Sequence, residues 1–406
     1  MIFRKKTKQI TGSLNYLAWQ RFIRNKLSLT SLIFILFAIL IGLLGYTITP
    51  DKTSFANTQI LEISTQKPGF SCLVIKFRKN EIQAESDFFQ KMIFGEKDDF
   101  INIPINSYHF ENEKLILEEF NDIKSEEPLF TELNPIDVVE PIQYNSEISF
   151  DSGIYHYIDI YGNEKSISLQ ELKGIIEDKN IVTKKYLLGT DRFGRDLLSR
   201  LLIGTRISLS VGFISVIISL LIGISLGAIA GYYKGVVDNV VMWLINVIWS
   251  IPTLLMVIAI TLVIGKGFWQ IFIAVGLTMW VEVARVVRGQ VLGIREKEYV
   301  EAARALGFGN SRIIFNHILP NIMSPVIIIS AANFATAILL EAGLSFLGIG
   351  VQPPVPSWGT MIKEHYGYII MDKAYLAILP GLAIMLMVLA FTLIGNGLRD
   401  ALDTKA

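Results

Sequence analysis

Six long apolar stretches alternate with charged segments along this sequence. They cover about residues 27–49, 207–232, 237–264, 268–287, 322–347 and 375–394. At 1.5 Å per residue, a helix of about 20 apolar residues crosses the roughly 30 Å hydrocarbon core of a bilayer. The pattern therefore predicts an α-helical membrane protein with six transmembrane helices.

The segment between the first two apolar stretches, residues 50–187, is too polar for a bilayer. Its length suits a small α+β domain. Residues 71–77 and 154–161 have the composition of strands, whereas residues 86–94 and 169–176 are typical of helices. We therefore expect three parts: residues 1–49 with the first span, an extracytoplasmic insert at 50–187, and a five-helix core at 188–406.

Charge separates the insert from the remainder of the chain. Of 37 acidic and 37 basic residues, 25 acidic and 14 basic ones lie between Asp51 and Lys185. The remainder is basic, which fits membrane spans joined by basic cytoplasmic loops. A hydrophobic fraction of 51% and a mean hydropathy of +0.46 exclude an ordinary soluble protein. The single cysteine, Cys72, excludes an internal disulfide.

The N-terminal segment predicts the orientation, because it holds basic residues and no acidic one before the first span. By the positive-inside rule this places the N-terminus in the cytoplasm. Six crossings then put the insert outside, and the C-terminus and the loop after the fourth span inside. The basic residues are Arg4, Lys5, Lys6, Lys8, Arg21, Arg24 and Lys26.

Two further expectations concern this end of the chain. Leu17, Trp19, Phe22 and Ile23 predict either a helix lying along the lipid headgroups or a simple anchoring segment. The first apolar stretch is too long for the core of a signal peptide, so we expect it to remain as a span.

The loop after the fourth span predicts two short helices joined at a glycine. Residues 299–306 are rich in helix formers, and Gly307 can end a helix in the left-handed conformation. A second helix can begin at Asn310 or Ser311, and Pro320 limits its length. From local physics alone, this elbow is either a docking surface for another protein or a tight cytoplasmic loop.

The residues of this elbow resemble the coupling loop of permease subunits in ATP-binding-cassette importers. The matching positions are Glu301, Ala302, Ala303, Gly307, Leu319 and Pro320. The His-Ile-Leu-Pro-Asn ending at 317–321 and the Gly-Thr-Asp-x-x-Gly-Arg-Asp run at 189–196 are similar to the dipeptide, oligopeptide and nickel branch. Residues 341–348 and 351–359 also look like this branch. The resemblance covers 14–49 loosely and 188–400 closely, and it omits the insert.

The resemblance implies a type I importer permease fold in a bacterial inner membrane, with both termini cytoplasmic. It also implies four partners besides lipid: a homologous permease forming a heterodimer, two cytoplasmic ATPase subunits and an extracytoplasmic solute-binding protein. The coupling loop would span residues 294–320 and carry the six matching positions. Small Ala302 and Ala303 beside Glu301 would let an ATPase surface approach closely.

No site for chemistry is predicted in this chain. The Gly265-Lys266-Gly267 run lacks the spacing and the hydroxyl of a phosphate-binding loop, so ATP hydrolysis must come from a partner. His109, His156 and His317 are isolated from one another in the sequence. We therefore expect no catalytic residue, cofactor, metal site or nucleic-acid partner.

Several polar and small residues within the predicted spans have more than one interpretation. Glu282 either has a function or, as we expect, pairs with Arg285 or Arg288, and we expect Glu341 to brace the outer end of the bundle. Arg192, Arg195, Arg200 and Arg206 are either a site for substrate carboxylates or, as we favour, interfacial anchors partly neutralised by Asp191 and Asp196. Gly223, Gly227 and Gly231 predict close packing against another helix, and Pro252 and Pro380 predict kinks.

We therefore predict a permease subunit of an ATP-binding-cassette importer for peptides. Within the same branch, nickel or another small solute is the alternative cargo. Two other classes stay open from the residues alone: a channel or secondary transporter that needs no ATPase, and a membrane-anchored receptor or enzyme that acts through the insert.

Overall fold

The computed structural model describes residues 14–81, 87–122, 127–265 and 267–403. The basic residues Arg4, Lys5, Lys6 and Lys8 lie outside these ranges, and so does Lys266. Ser86, where we predicted that a helix of the insert begins, also lies outside them.

Fourteen α-helices occur in the described part of the chain. They are α1 (Leu14–Arg24), α2 (Lys26–Leu44), α3 (Phe88–Phe94), α4 (Pro135–Val139), α5 (Leu169–Ile175), α6 (Leu197–Tyr233), α7 (Gly235–Trp249), α8 (Thr253–Ile264), α9 (Phe268–Ile294), α10 (Glu298–Ala305), α11 (Asn310–Ile313), α12 (Met323–Phe346), α13 (Trp358–His365) and α14 (Tyr375–Leu402). Five helical segments are long and apolar enough to cross a membrane, and α7 with α8 makes a sixth if the bent pair is one span. The chain is thus a helical membrane protein with an α+β domain inserted between its first two spans.

A close helix contact in the bundle joins α6 to α9. A Cβ atom at Gly223 would lie 2.5 Å from Val283, and one at Gly227 would lie 2.5 Å from the Ala284 carbonyl oxygen. Gly231 meets Val291 in the same way, at 2.8 Å. The predicted glycine contact is therefore confirmed. Because these contacts advance together along both chains, α6 and α9 run parallel.

The parallel pair requires the chain to return across the bundle between the two helices, and α7 and α8 provide this return. They meet at a bend of 93° around Pro252, which is much sharper than the kinked span we predicted. Pro252 has an extended backbone (ψ 127°) and precedes α8 rather than lying inside a helix. Proline lacks the N–H that would continue the hydrogen bonding of α7, so the apolar run breaks here.

The insert and the chain termini lie at opposite ends of the bundle. Ser28 at the start of α2 donates to the Leu393 carbonyl near the end of α14, at 3.2 Å. At the other end, the Tyr375 hydroxyl at the start of α14 donates to the carbonyl of Gln66, at 2.7 Å. α2 and α14 are therefore antiparallel, and the two ends of the described chain are on the face opposite the insert.

Several spanning helices are longer than their apolar stretches predicted. α6 begins at Leu197 rather than near residue 207, because Asp196 caps it by accepting from the Ser199 N–H at 2.7 Å. α9 continues to Ile294 and α14 to Leu402. Hydropathy marks only the part of a helix that lies in lipid, so polar turns at helix ends escape the pattern.

The N-terminal helix α1 is separate from the first span. Asn25 interrupts the two helices and caps α2 by accepting from the Ser28 N–H at 3.3 Å. Phe22 is buried, whereas Trp19 stays half exposed and stacks on it with ring centroids 5.9 Å apart. The segment is therefore helical, as the interpretation of a helix along the lipid headgroups requires.

The insert contains two antiparallel sheets. The strands are β1 (Phe70–Arg78), β2 (Phe100–Glu111), β3 (Lys114–Glu119), β4 (Phe130–Leu133), β5 (Ser149–Asp151), β6 (Ile154–Ile158), β7 (Glu164–Ser168) and β8 (Ile181–Tyr186). One sheet has the order β4-β3-β2-β1-β8 and the other β5-β6-β7. Leu73 of β1 pairs with Ile105 on one side and Thr183 on the other. Both predicted strands are present, although β6 ends at Ile158, before residue 161.

Tight backbone contacts join the insert to the bundle. A Cβ at Gly194 (φ +70°) would lie 1.6 Å from the Ile60 carbonyl oxygen, and one at Gly189 (φ +80°) would lie 2.2 Å from that of Gln66. The Thr190 hydroxyl donates to the Ile63 carbonyl at 2.5 Å. Residues 189–194 are therefore seated against the beginning of the insert.

Gly227→Leu should strongly destabilise the bundle, because its side chain would overlap the backbone of α9. We expect a loss of at least about 1–3 kcal/mol, measured as a lower temperature of aggregation in detergent. Gly381→Leu is the matched control, because a Cβ at Gly381 of α14 would meet nothing within 4 Å. Equal stability of the two variants would contradict the close α6–α9 packing.

Candidate functional site

The predicted elbow is a compact segment at the end of the bundle opposite the insert. α10 ends before Gly307, which has φ +80°. The Gly307 and Phe308 N–H groups then donate to the carbonyls of Arg304 and Ala303, at 3.0 and 3.1 Å. This left-handed turn closes the helix as predicted. α11 begins at Asn310, as predicted, but its cap is Gly309, and the Asn310 side chain accepts from the Tyr232 hydroxyl at 2.9 Å.

The second helix of the elbow leads almost directly into the next span. After α11 the chain makes a wide turn over Ile314–Ile318 and a tighter one over Leu319–Ile322, and α12 follows. Pro320 lies in the first turn of Leu319–Ile322. A proline needs no hydrogen-bond donor at such a position. We had expected Pro320 to limit the length of the second helix. The helical turns instead continue through it into α12.

Apolar contacts hold the elbow against α6 and α9. Val300, Ile313 and Ile318 are fully buried in one cluster with Val287 and Val291 of α9. Movement of the elbow must therefore displace the inner ends of α6 and α9, because these side chains share one packed core.

Charged side chains add to this attachment. The Lys234 ammonium lies 2.5 Å from the Glu296 carboxylate and lowers the pKa of that carboxyl. The Tyr232 ring faces the guanidinium of Arg304 at 5.6 Å, and its carbonyl accepts from Arg295. Each of these contacts ties the elbow or its approach to the end of α6.

The six predicted coupling residues do not share one face. Glu301, Ala302, Gly307 and Pro320 are exposed, whereas Ala303 is only 4% exposed and packs into the core. Leu319 is partly buried beside the same core. Ala303 therefore supports the elbow from within and is not available to a partner. The coupling role of the other residues stays a prediction.

Two exposed apolar side chains on the elbow were missed by sequence reasoning. Leu306 is 74% exposed and Phe315 is 66% exposed. The three-residue spacing of Val300, Ala303 and Leu306 predicts a shared buried face, but Leu306 lies at the C-cap of α10 and is exposed. His317 stacks on Phe308 with ring centroids 5.9 Å apart.

Two of the four arginines, Arg195 and Arg200, belong to a buried ion-pair network and are not interfacial anchors. Arg195 donates to the Asp191 carboxylate at 2.6 Å and to that of Glu364 at 2.9 Å. Arg200 lies 3.6 Å from Asp191 and is 2% exposed. Arg206 donates to the Ile93 carbonyl instead, at 2.6 Å. Internal partners thus engage these guanidinium groups.

The same network explains a cluster of possible metal ligands. Oxygen and nitrogen atoms of Asp191, Glu364 and His365 lie within 4.8 Å of one another. Arg195 bridges the two carboxylates and Arg200 lies beside Asp191, so two guanidinium groups balance their charge without an ion. Burial lowers the pKa of His365, whose Nδ1 hydrogen-bonds to the Met361 carbonyl at 2.7 Å. We interpret the cluster as a structural joint between α13 and the start of α6.

Glu341 is fully buried in α12. Its carboxylate accepts from the Ser345 hydroxyl at 2.6 Å, and that hydroxyl accepts from the Val351 N–H at 3.1 Å. The chain of hydrogen bonds holds the turn after α12, which agrees with a bracing role.

Glu282 does not have the partner that we predicted. Arg288 instead donates twice to Asp238 of α7, at 2.5 and 2.7 Å, and Arg285 lies over the Trp249 ring at 3.5 Å. Glu282 is exposed, and it forms no ion pair within the described ranges. Arg288, a predicted partner of Glu282, pairs with Asp238 because the return helix α7 lies against α9. The sequence does not reveal this contact.

Comparison with known proteins identifies the family. Residues 223–406 match the binding-protein-dependent transport system inner membrane component, and residues 13–68 match the N-terminal transmembrane domain of oligopeptide transport permease C. A glutathione transport permease, GsiD of Pectobacterium atrosepticum, is 43% identical over 218 residues, which cover 54% of this chain and 72% of GsiD. The chain belongs to the family of binding-protein-dependent inner-membrane permeases.

Two further relatives of this permease give similar values. The dipeptide permease DppC of Alkalihalophilus pseudofirmus is 42% identical over 54% of this chain and 72% of its own length. The oligopeptide permease OppC of Bacillus subtilis is 40% identical over 55% and 73%. A solved inward-facing methionine transporter, MetNI, aligns with a TM-score of 0.42 and 21% identity over 50% of this chain and 96% of its own.

These comparisons decide between the classes that the residues left open. The permease is a multi-pass inner-membrane subunit of an ATP-binding-cassette importer, of the oligopeptide permease C type. Permeases of this family have no ATPase site, and the transport system includes ATPase and solute-binding partners. A self-sufficient channel, secondary transporter or anchored enzyme is therefore excluded as the main role.

Arg195→Gln should destabilise the permease far more than Arg192→Gln. Removing Arg195 leaves two largely buried carboxylates without their shared partner, which costs about 3–5 kcal/mol. Arg192 is 38% exposed and lies 3.8 Å from Glu364, so its loss should cost about 1 kcal/mol or less. Thermal unfolding in detergent measures both, and equal losses would contradict a structural joint at Arg195.

Proposed function

We propose that this permease forms the translocation path for peptides together with a homologous permease, and that residues 294–320 couple the path to two cytoplasmic ATPase subunits. An extracytoplasmic solute-binding protein delivers the peptide on the side of the insert. Both chain termini and the elbow face the cytoplasm. In this arrangement the elbow receives force from the ATPases and the spanning helices respond.

The position of the elbow is the observation that carries this proposal. It is packed on the inner ends of α6 and α9, yet Glu301, Ala302, Leu306 and Phe315 are each exposed. A surface with apolar anchors and one carboxylate beside a small residue suits docking into a groove of another protein. A loop that only connected two spans would have no need to expose two large apolar side chains.

The cargo proposal rests on the relatives. Those named above are described as permeases for glutathione, dipeptides and oligopeptides. Glutathione is itself a tripeptide with one unusual linkage, so the three cargo types share an amino group, carboxylates and amide bonds. A peptide or a peptide-like solute is the class that all three have in common.

The coupling mechanism follows from the shared core. When ATP binding closes the two ATPases, each docked elbow moves with its ATPase. The Val300, Ile313 and Ile318 contacts carry that movement to α9, and the tight α6–α9 packing moves both helices as one unit. Differential docking in the two ATPase states is what shifts the path between inward and outward openings.

Gly307→Thr should uncouple transport from ATP hydrolysis. A β-branched residue is strained at φ +80°, by about 1–2 kcal/mol or more, so the turn must reshape and redirect α10. We expect uptake of labelled peptide into proteoliposomes to fall at least fivefold, while insertion into the membrane is unchanged.

Gly309→Thr is the matched control for this variant. A Cβ meets nothing within 4 Å at either glycine, but Gly309 has φ −63° and caps α11, where threonine is acceptable. Its uptake should equal that of the unmodified importer. Normal uptake by Gly307→Thr would contradict the lever.

A further inference from the structure

Glu282 is an acidic side chain deep within a spanning helix. In the 27-residue helix α9 it lies roughly 20 Å from either end, at 1.5 Å per residue. Its side chain is exposed rather than packed inside the bundle. A carboxylate is costly at this depth unless it faces water or a cation. Glu282 must therefore face a water-filled space or a positively charged group.

The two arginines that follow Glu282 in α9 are engaged elsewhere. Arg285 covers the Trp249 ring at 3.5 Å, and Arg288 forms two hydrogen bonds with Asp238. Across the described ranges, no lysine or arginine forms an ion pair with Glu282. The carboxylate is therefore available to a cation from outside this chain.

The bend between α7 and α8 forms a small cavity around this carboxylate. The cavity has a volume of about 90 Å³. Besides Glu282, its walls include Trp249, Thr253, Met256, Thr278, Thr336 and Leu340. A cavity needs roughly 10–15 Å³ of such volume to hold one water, so this cavity has room for an ammonium group with some water.

We propose that Glu282 binds the protonated amino group of the cargo during translocation and so favours cargo that carries one. This assignment rests on the proposed function, because it needs a peptide-like cargo in the path between the two permeases. A primary ammonium has three donors, and the carboxylate accepts them in short charge-assisted hydrogen bonds. Arg285 already covers the Trp249 ring, so the carboxylate rather than the ring receives the cation.

The test compares two cargo molecules that differ only in this group. Dialanine has a free ammonium, whereas N-propionyl-alanine replaces the amino group by hydrogen. Initial uptake of each is measured in proteoliposomes that contain the complete importer. The solute-binding protein contributes the same preference to every variant, so a change in the uptake ratio reports on the permease. Glu282→Gln should lower the ratio of dialanine to N-propionyl-alanine uptake about tenfold, as expected for the loss of one charged hydrogen bond.

Two variants control for indirect effects. Glu282→Asp keeps the charge and should retain at least half of the ratio. Asp400→Asn removes an exposed carboxylate at the far end of α14 and should leave the ratio unchanged. A merely structural role for Glu282 would lower the uptake of both molecules equally and leave the ratio intact.

Three outcomes would overturn the assignment. An unchanged ratio in Glu282→Gln, with normal uptake by the unmodified importer, leaves the proposed function standing and removes the amino-group site. Loss of the co-purified second permease from Glu282→Gln would instead assign the carboxylate to the interface between permeases. Failure of the unmodified importer to take up dialanine, trialanine or glutathione would reject the proposed function, and the amino-group site with it.

Discussion

The close parallel contact between α6 and α9 is the constraint on which the rest of the bundle depends. Three glycines of α6 bring the two backbones together, and no larger side chain fits at those positions. Because parallel neighbours cannot be joined directly, the chain needs a return across the bundle, and α7 and α8 make it with a 93° bend. The elbow before α12 then lies opposite the insert, and the bend leaves a cavity beside Glu282.

The two ends of the bundle are stabilised by different interactions. At the insert end, Asp191, Arg195, Arg200 and Glu364 form a buried charge network that joins α13 to the start of α6. Such a network tolerates the loss of no single partner, because a buried charge left alone is costly. At the elbow end, apolar side chains of one buried cluster make the contact, and an exposed ion pair between Lys234 and Glu296 adds to it. Because these side chains share one packed core, the elbow and the ends of α6 and α9 beneath it move together.

Local signals in the sequence predicted much of this structure, but they did not predict which residues pair over long distances along the chain. Apolar runs predicted the spans, spacing predicted the glycine contact, and the turn at Gly307 followed from the chemistry of one residue. The partner of Arg288 could not be predicted, because Asp238 meets it only after the chain returns through α7. Likewise, the burial of Ala303 depends on the core beneath the elbow. Hydropathy indicates which residues lie in the membrane, but it does not indicate which side chains contact one another.

The proposed coupling requires that ATPase subunits bind the elbow on the cytoplasmic side, opposite the insert. Site-specific labelling tests it most directly, because buried Cys72 is the one cysteine in the sequence and can be replaced by serine. A membrane-impermeant maleimide applied to intact cells should label Ser166→Cys in the insert and should not label Ala302→Cys. After permeabilisation Ala302→Cys should react, and bound ATPase should protect it. Labelling of Ala302→Cys from outside intact cells would contradict the account.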